Sequence, residues 1–334
     1  MTHEVTLWKW FARVWRVDPR RTVFHLRYLM WRGYLLTLPA YLALVFVCRV
    51  RGVPIVWTCH NVRSHVIPSP AYNAALRMLV GAAASTIFVL HRDIAAGLPR
   101  FREKVRVACF GEFRTHLAYA SERDPEFLRA YRAWLGRRGL ASPDLIFVGA
   151  YAPSKRLLAL FEALREDSEL TALIVCPGLP PRLGAPNAFV HRRGKVTYEL
   201  DAILNHCDSV GYVAHDNLSL PTAVHLFASY SIPCVAYDVP PLRSIVGEYG
   251  IGELFGTTQE LRRAIRQVQG DYQRYRDAAC MFLRKHSWEA SQRVHFAAIN
   301  RVVSDMSHPG QAPSRRGFQL LARRRVSPHQ DASP

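Results

Sequence analysis

Two adjacent cations follow a predicted strand and a glycine near the middle of the chain. Phe147-Val-Gly149 is typical of a buried strand entering a turn, and Lys155-Arg156 stands where the next helix begins. Backbone N–H groups at a helix N-terminus bind anions, and Lys or Arg adds positive charge there. The segment matches neither GxxxxGK[ST] nor GxGxxG. It predicts a diphosphate site, although two solvated cations on a helix face would give the same pattern.

A polar segment after a later predicted strand favours a second anion site. Asp216 and Asn217 could hold ribose or sugar hydroxyls. Ser219 is a good N-cap, and Pro221 is tolerated in a first helical turn. A helix N-terminus would then face the same edge of the sheet and bind a phosphate.

Three further candidates stand at predicted strand ends in the first half. His60, followed by Asn61, could act as a general base or bind a hydroxyl or phosphate, or only cap its strand. His91 could do the same, or cap the helix that follows. Glu112 could carry a carboxylate into a cleft, or be an ordinary turn residue.

These residues are positioned by alternating strands and helices, which predict an α/β fold with parallel sheets in both halves. Strands are predicted at 22–29, 53–58, 85–90, 105–110, 145–149, 172–176, 188–191, 209–213 and 233–237. Helices are predicted at 34–50, 71–83, 91–98, a run ending at 138, 154–166, 197–206, 220–230, 257–269, 271–285 and 287–304. The second half forms a Rossmann-type unit, whose ligands bind at the carboxyl ends of the strands.

The charge distribution separates the two halves. The chain has 334 residues and a net charge of +18, with 49% hydrophobic and 21% charged residues, which excludes a disordered or collagenous chain. Residues 1–100 hold 13 basic and 3 acidic side chains, whereas residues 144–307 hold 17 of each. A basic first half can attract nucleic acid, an anionic membrane or a phosphorylated substrate. The neutral second half and the lack of a nucleic-acid motif count against nucleic acid.

Cysteine usage and the N-terminus favour a cytoplasmic protein. The seven cysteines include no CxxC pair, so neither a disulfide framework nor a zinc site is indicated. No signal peptide is evident. The apolar stretch 34–48 is shorter than a membrane span and contains Pro39, which favours a buried helix.

The first 21 residues have the pattern of a basic amphipathic helix. Five apolar residues lie on one face (Leu7, Trp8, Phe11, Val14 and Trp15), and three cations lie on the other (Lys9, Arg13 and Arg16). Such a helix either binds the interface of an anionic membrane or packs on its own domain with its basic face in water.

The order of these segments resembles GT-B glycosyltransferases of the GT4-like and exopolysaccharide-assembly kind. The resemblance rests on four segments: Thr58-Cys-His60-Asn61, Phe147 through Arg156, Ser219 through Ala236 with Ile232-Pro233, and Ser287-Trp288 at the start of the last helix. It covers roughly residues 22–304 and is looser in the first domain. It implies two Rossmann-like domains, a nucleotide-sugar donor in the second domain, an acceptor in the first, and no metal or other cofactor.

The resemblance also implies roles for the candidate residues. Donor binding is implied for Gly149, Lys155, Arg156, Asn217, Ser219 and Leu220. His60 is the candidate catalytic base on the acceptor side of the cleft, and Asn61, His91 and Glu112 are implied to lie on that side as well. The implied domains are an N-terminal helix (1–21), an acceptor domain (22–140), a donor domain (144–286), a crossover helix (287–305) and a disordered basic tail (306–334). The acceptor would be a glycan or lipid-linked saccharide on the inner face of the plasma membrane.

The chain departs from the family pattern in two places. Aligning on Ile232-Pro233 puts Leu218 and Leu226 where retaining members carry a Glu-x7-Glu pair. No Gly-rich loop precedes residue 22, so we expect the N-terminal domain to lack its first strand, either because the start is truncated or mis-assigned or because the protein is a reduced or inactive relative. These departures favour, as the alternative, a catalytically inactive GT-B-like binding subunit or membrane-associated scaffold.

Overall fold

The computed structural model describes residues 7–27, 34–60, 69–113, 123–193, 197–215 and 222–307. The predicted sites Asn61, Asn217, Ser219 and Leu220 lie outside these ranges, as does most of the predicted tail. The helices are α1 (Leu7–Arg16), α2 (Tyr34–Arg51), α3 (Pro70–Ala83), α4 (Arg92–Ala96), α5 (Pro125–Arg138), α6 (Leu157–Glu166), α7 (Thr197–Leu204), α8 (Thr222–Ser229), α9 (Thr258–Gly270), α10 (Tyr272–Lys285) and α11 (Trp288–Ser307).

The strands form two parallel sheets. They are β1 (Phe24–Leu26), β2 (Ile55–Cys59), β3 (Ala84–Val89), β4 (Val105–Val107), β5 (Leu145–Val148), β6 (Ala172–Val175), β7 (Ala188–His191), β8 (Val210–Val213), β9 (Cys234–Tyr237) and β10 (Gly252–Phe255). The N-lobe is built on the sheet β1-β2-β3-β4, and the C-lobe on the sheet β10-β9-β8-β5-β6-β7. Two parallel α/β domains were expected, and this fold class is confirmed.

Both faces of the N-lobe sheet are covered. All five residues of β2 are buried. Because side chains alternate along a strand, Trp57 points into the core shared with α2 and α3, whereas Val56 lies on the opposite face with Phe88. Val294 of α11 packs against that second face. Burial on both sides explains why these strands are nearly continuous apolar runs.

Helix α11 crosses from the C-lobe onto the N-lobe. The Trp288 indole Nε1 donates to the Glu112 carbonyl oxygen at 2.8 Å, and the His295 ring lies 4.0 Å from the Phe88 ring. A Cβ added to Gly111 would lie 2.2 Å from the Trp288 ring, so the loop after β4 must have glycine at this contact. The indole therefore fastens the start of α11 to the N-lobe.

Helix α2 has one buried and one exposed face. Tyr41, Leu44 and Cys48 are at most 1% exposed and pack in the N-lobe core. Leu42 and Phe46 face outward, so the expectation of a buried helix holds for only one face. In the part of the chain that the structure describes, no helix combines the length and hydropathy needed to cross a bilayer.

Helix α1 packs on α2 and the core instead of standing free. Val14 is 2% exposed, and Phe11 packs partly buried against the core. Arg13 and Arg16 are exposed, as expected for the basic face. Trp15 was expected on the apolar face with Val14, but it is 58% exposed, with the Arg51 guanidinium 5.3 Å from its ring centroid.

Most element boundaries agree with the sequence predictions to within two residues, but the predicted helix 154–166 begins at Leu157 and the predicted helix 287–304 ends at Ser307, each three residues later than expected. The predicted strand 22–29 is limited to Phe24–Leu26, and 105–110 to Val105–Val107. Strand β10 was not predicted. The helical turn Pro240–Leu242, continued by π-helical Arg243–Gly247, was not predicted either.

Candidate functional site

The strand order of the C-lobe sheet creates a crevice at one place. From β5 the chain moves outward to β6 and β7, and then returns to place β8 on the other side of β5. Ligands of open α/β sheets bind at such a switch point, outside the carboxyl ends of the strands. The loop after β5 contains Gly149, Lys155 and Arg156. In the N-lobe the four described strands follow one another in sequence order, without such a reversal.

Gly149 and Lys155 form one close contact in the loop after β5. Gly149 has a φ of +152°, and a Cβ there would lie 2.7 Å from the Lys155 Nζ atom. Lys155 Nζ donates to the Ala150 carbonyl oxygen at 2.7 Å. Burial lowers the pKa of Lys155, opposed by the nearby Cys176. A half-buried ammonium has lost part of its hydration, which an anionic ligand would replace.

Arg156 is fixed by the two strands beside the crevice. Its backbone adopts the left-handed conformation (φ 46°, ψ 36°) between a 3-10 turn and the first residue of α6. The Tyr212 hydroxyl of β8 donates to the Arg156 carbonyl oxygen at 2.9 Å. The guanidinium lies 4.0 Å from the ring centroid of Tyr237, the last residue of β9. Arg156 is exposed. Its contacts with Tyr212 and Tyr237 nevertheless fix its backbone and its guanidinium beside the ends of β8 and β9.

Sequence reasoning missed the two tyrosines that contact Arg156. Tyr212 and Tyr237 were recognised only as members of apolar strands. Asp238, which follows Tyr237, accepts a hydrogen bond from the Arg243 Nε at 2.6 Å. Each of the neighbouring strands β8 and β9 contains one of these tyrosines. The sequence does not show that these two strands are neighbours, so it could not predict that both tyrosines contact Arg156.

On the N-lobe, His60 lies among other histidines and cations. The His25 Nε2 and the Thr58 Oγ1 are 2.7 Å apart, at the ends of neighbouring strands. Burial, with smaller contributions from Arg27 and His25, lowers the pKa of His60 to about 4. The His60 imidazole is therefore neutral at pH 7, and the same burial makes it a weaker base than an ordinary histidine.

His91 and Glu112 take structural roles that the sequence had left open. The His91 Nδ1 accepts a hydrogen bond from the Asp93 backbone N–H at 3.3 Å, which caps α4. The Glu112 carbonyl oxygen binds Trp288 at the start of α11. Their predicted place on the acceptor side is compatible with these roles but stays a prediction.

Three histidines meet at the seam between the lobes. His225 of α8 is 1% exposed, and its Nδ1 has no hydrogen-bond partner among the residues that the structure describes. Its ring lies 6.0 Å from the His286 ring and 5.5 Å from the Phe110 ring of the N-lobe. Burial, then His286 and His91, lowers the pKa of His225 to about 3. Burial also lowers the pKa values of His91 and His286.

Polar contacts across the same seam join α4 to the π-helical segment. The Ser244 hydroxyl donates to the Asp93 carboxylate at 2.7 Å, and Arg92 forms an ion pair with Glu248. The Phe113 backbone N–H donates to the Ser229 hydroxyl at 2.8 Å. These contacts hold the N-lobe strand ends near the C-lobe.

We expect acid to destabilise the fold through this seam. The unfolded chain protonates its histidines below about pH 6.5, whereas the folded chain keeps His225 neutral to about pH 3. Stability is therefore complete above pH 6.5 and falls as the pH drops towards 3, by about 2 kcal/mol at pH 5 for His225 alone. Urea unfolding at several pH values measures this slope. The variant His225→Leu should show a shallower slope, and an unchanged slope would contradict the assignment.

Metal-ligating side chains do not cluster in the described ranges. No group of three or more His, Cys, Asp or Glu residues there has the spacing to hold a metal ion. All seven cysteines are described, and none is in a disulfide.

Comparison with solved structures identifies the fold. No protein-family model and no curated protein matches the sequence. HepE of Anabaena, in complex with UDP-glucose, superimposes with a TM-score of 0.57 at 18% identity, covering 81% of this chain and 76% of HepE. Sucrose-phosphate synthase of Thermosynechococcus elongatus gives a TM-score of 0.64 at 15% identity, covering 89% and 78%. A glycosyltransferase of Rickettsia africae gives 0.59 at 12%, covering 92% and 84%. The chain has the GT-B fold.

The GT-B fold gives the two lobes their arrangement but not their chemistry. At these identities the likeness is one of architecture, so the activity must be argued from this chain's own residues. The GT4-like or exopolysaccharide assignment remains a resemblance in sequence order.

Proposed function

We propose that the chain is a glycosyltransferase of the hexosyltransferase type. It moves a sugar from a nucleotide-sugar donor to a glycan or lipid-linked saccharide in polysaccharide or glycoconjugate biosynthesis, without a metal ion. The observation that carries the proposal is the Lys155–Arg156 pair fixed at the switch point of a GT-B fold. The binding of UDP-glucose by HepE, a structural relative, supports a nucleotide sugar as the donor.

The two cations supply the electrostatic part of the reaction. When the bond between the anomeric carbon and the donor diphosphate breaks, negative charge accumulates on the leaving diphosphate. Lys155 and Arg156 neutralise that charge in the transition state, which is worth more in a partly desolvated site than in water. Asn217, Ser219 and Leu220 complete the donor site in this proposal.

The acceptor lies on the N-lobe side. The acceptor hydroxyl oxygen forms the new bond to the anomeric carbon, and its proton passes to a base. His60, neutral at pH 7, is our candidate for that base. Asn61, His91 and Glu112 would surround the acceptor.

The positive charge of the N-lobe supports an anionic membrane surface as the place where the protein works. A lipid-linked acceptor is held at such a surface, and polybasic segments gain about 1 kcal/mol for each Lys or Arg close to it. The protein would then act in the cytoplasm, peripherally on the inner face of the plasma membrane.

Thermal-shift binding tests the donor site. We expect one class among UDP-, GDP-, ADP- and dTDP-sugars to raise the unfolding midpoint, since a ligand at a hundredfold excess over its Kd stabilises the fold by ~2.7 kcal/mol. Lys155→Ala should abolish the shift, whereas Arg263→Ala, an exposed cation on α9, should keep it. A flat panel for the well-folded wild type would contradict the donor site.

A flat panel would favour the second candidate, a non-catalytic GT-B-like subunit that only binds. One observation supports it. Leu226 of α8 aligns with one glutamate of the family pair; it is 8% exposed and packs in the hydrophobic core. No carboxylate can therefore act from that position.

A further inference from the structure

The exposed face of α2 is apolar along its length. Leu42, Phe46 and Val50 are spaced four residues apart, so they form one stripe on the helix. They are 50%, 67% and 58% exposed. Residues of this size are normally buried, and a row of three exposed ones indicates an interaction surface. We refer to these three residues as the α2 stripe.

Exposed cations and an exposed indole lie on α2 and on α1, the helix that packs against it. Arg49 is exposed next to Val50, and Arg13 and Arg16 are exposed on α1, which packs on α2. Trp15 is exposed at the C-terminal end of α2, where Arg51 contacts it. Between Glu4 and Asp93 the chain has one acidic residue, Asp18. Asp18 accepts a hydrogen bond from the Arg20 backbone N–H and lies 3.9 Å from Arg21.

A basic pocket lies at the same end of α2. Its volume is about 450 Å³, and its lining includes Arg49, Lys104 and Met306. The Lys104 Nζ donates to the Gly81 and Ala82 carbonyl oxygens at the end of α3, at 3.2 and 3.0 Å. The end of α2 that carries Val50 therefore lies beside a recess with two cations, Arg49 and Lys104, in its lining.

We propose that the α2 stripe is the face by which this protein docks on an anionic phospholipid bilayer. Leu42, Phe46 and Val50 enter the boundary between headgroups and acyl chains, with Trp15 at headgroup level, while Arg13, Arg16 and Arg49 meet lipid phosphates. This rests on the part of the proposed function that places the chain at a membrane. The α2 stripe takes the place of the apolar face of α1 as the expected membrane-binding surface, because Phe11 and Val14 pack inward.

Charge complementarity favours a bilayer over a second copy of the chain. A two-fold interface through the stripe would bring the same surface of each copy together, with the arginines of both around one apolar contact. That arrangement puts like charges side by side without acidic partners, which is unfavourable. An anionic membrane supplies the opposite charge over the whole surface.

Sedimentation with lipid vesicles tests the proposal. We expect the wild-type chain to bind vesicles of phosphatidylcholine mixed with phosphatidylglycerol, and to bind pure phosphatidylcholine much less. Phe46→Gln with Val50→Gln should weaken partitioning by about tenfold or more, since two large apolar side chains no longer enter the membrane. Met281→Gln with Phe296→Gln is the matched control, because these residues are similarly exposed (50% and 62%) on α10 and α11.

Each outcome separates docking from the donor chemistry. Equal binding by the stripe variant and the control, or no binding by the wild type, overturns the proposal. A wild-type dimer that the stripe variant dissociates, seen by gel filtration, would make a second copy the occupant and also overturn it. The donor-induced thermal shift is measured on the same proteins, so failure of the donor site is scored independently of vesicle binding.

Discussion

Replacing Arg156 by alanine is expected to lower kcat/KM for the nucleotide-sugar donor by about 10²–10³-fold, the usual cost of losing one group that stabilises developing negative charge. The Tyr237 ring and the Tyr212 hydroxyl hold Arg156 in place before any ligand arrives. Little conformational freedom is then lost when the diphosphate binds, which is why its removal should be costly.

The substitution leaves the backbone requirement unchanged. Arg156 has a φ of +46°, and alanine carries the same Cβ, so the two residues pay a similar penalty in this conformation. A loss of turnover would therefore be due to the missing guanidinium and not to a distorted turn. The thermal midpoint without donor should stay close to that of the wild type.

Two further variants sharpen this prediction. Arg156→Lys should recover only part of the activity, because an ammonium neither stacks on Tyr237 like a guanidinium nor binds phosphate through a planar fork. Arg263→Ala removes the same charge from an exposed position on α9 and should have no effect. Full activity of Arg156→Ala, with confirmed donor turnover by the wild type, would remove Arg156 from the site.

Replacing Gly252 by alanine is expected to cost about 3 kcal/mol or more of unfolding free energy, a large part of a typical total of 5–15. A Cβ on Gly252 would lie 1.7 Å from the Cys234 carbonyl oxygen, its partner in the β9–β10 pairing. The obstructing atom belongs to the backbone, so no side-chain rotation relieves the clash. The two strands would have to separate.

Gly136→Ala is the matched control for this prediction. Gly136 lies inside α5, and a Cβ there would meet no atom within 4 Å. Alanine should stabilise this position by about 0.5–1 kcal/mol, because glycine loses more backbone entropy in a helix. Urea unfolding measures both variants. Equal midpoints for Gly252→Ala and Gly136→Ala would show that the β9–β10 register is wrong.

The sequence by itself determined the alternation of elements and the residues at the strand ends. Strand β2 and the run leading to Lys155 were predictable because side-chain periodicity and turn residues are local properties of the chain. The same reasoning identified Lys155, Arg156 and His60 as candidates. It failed for β10, where Gly252 and Glu253 interrupt the apolar pattern and pairing with β9 makes the strand.

Only the tertiary structure decided which of these residues meet. The return of the chain from β7 to β8 places the switch point at β5, and this brings Tyr237 under Arg156 although 81 positions separate them. The seam of His91, His225 and His286 arises in the same way. Helix α2 is apolar on nearly every side, so its sequence could not show that the α2 stripe faces outward. Sequence periodicity predicts local elements such as helices and strands, but contacts between distant segments are set only by how the lobes pack, so they leave no periodic pattern in the sequence.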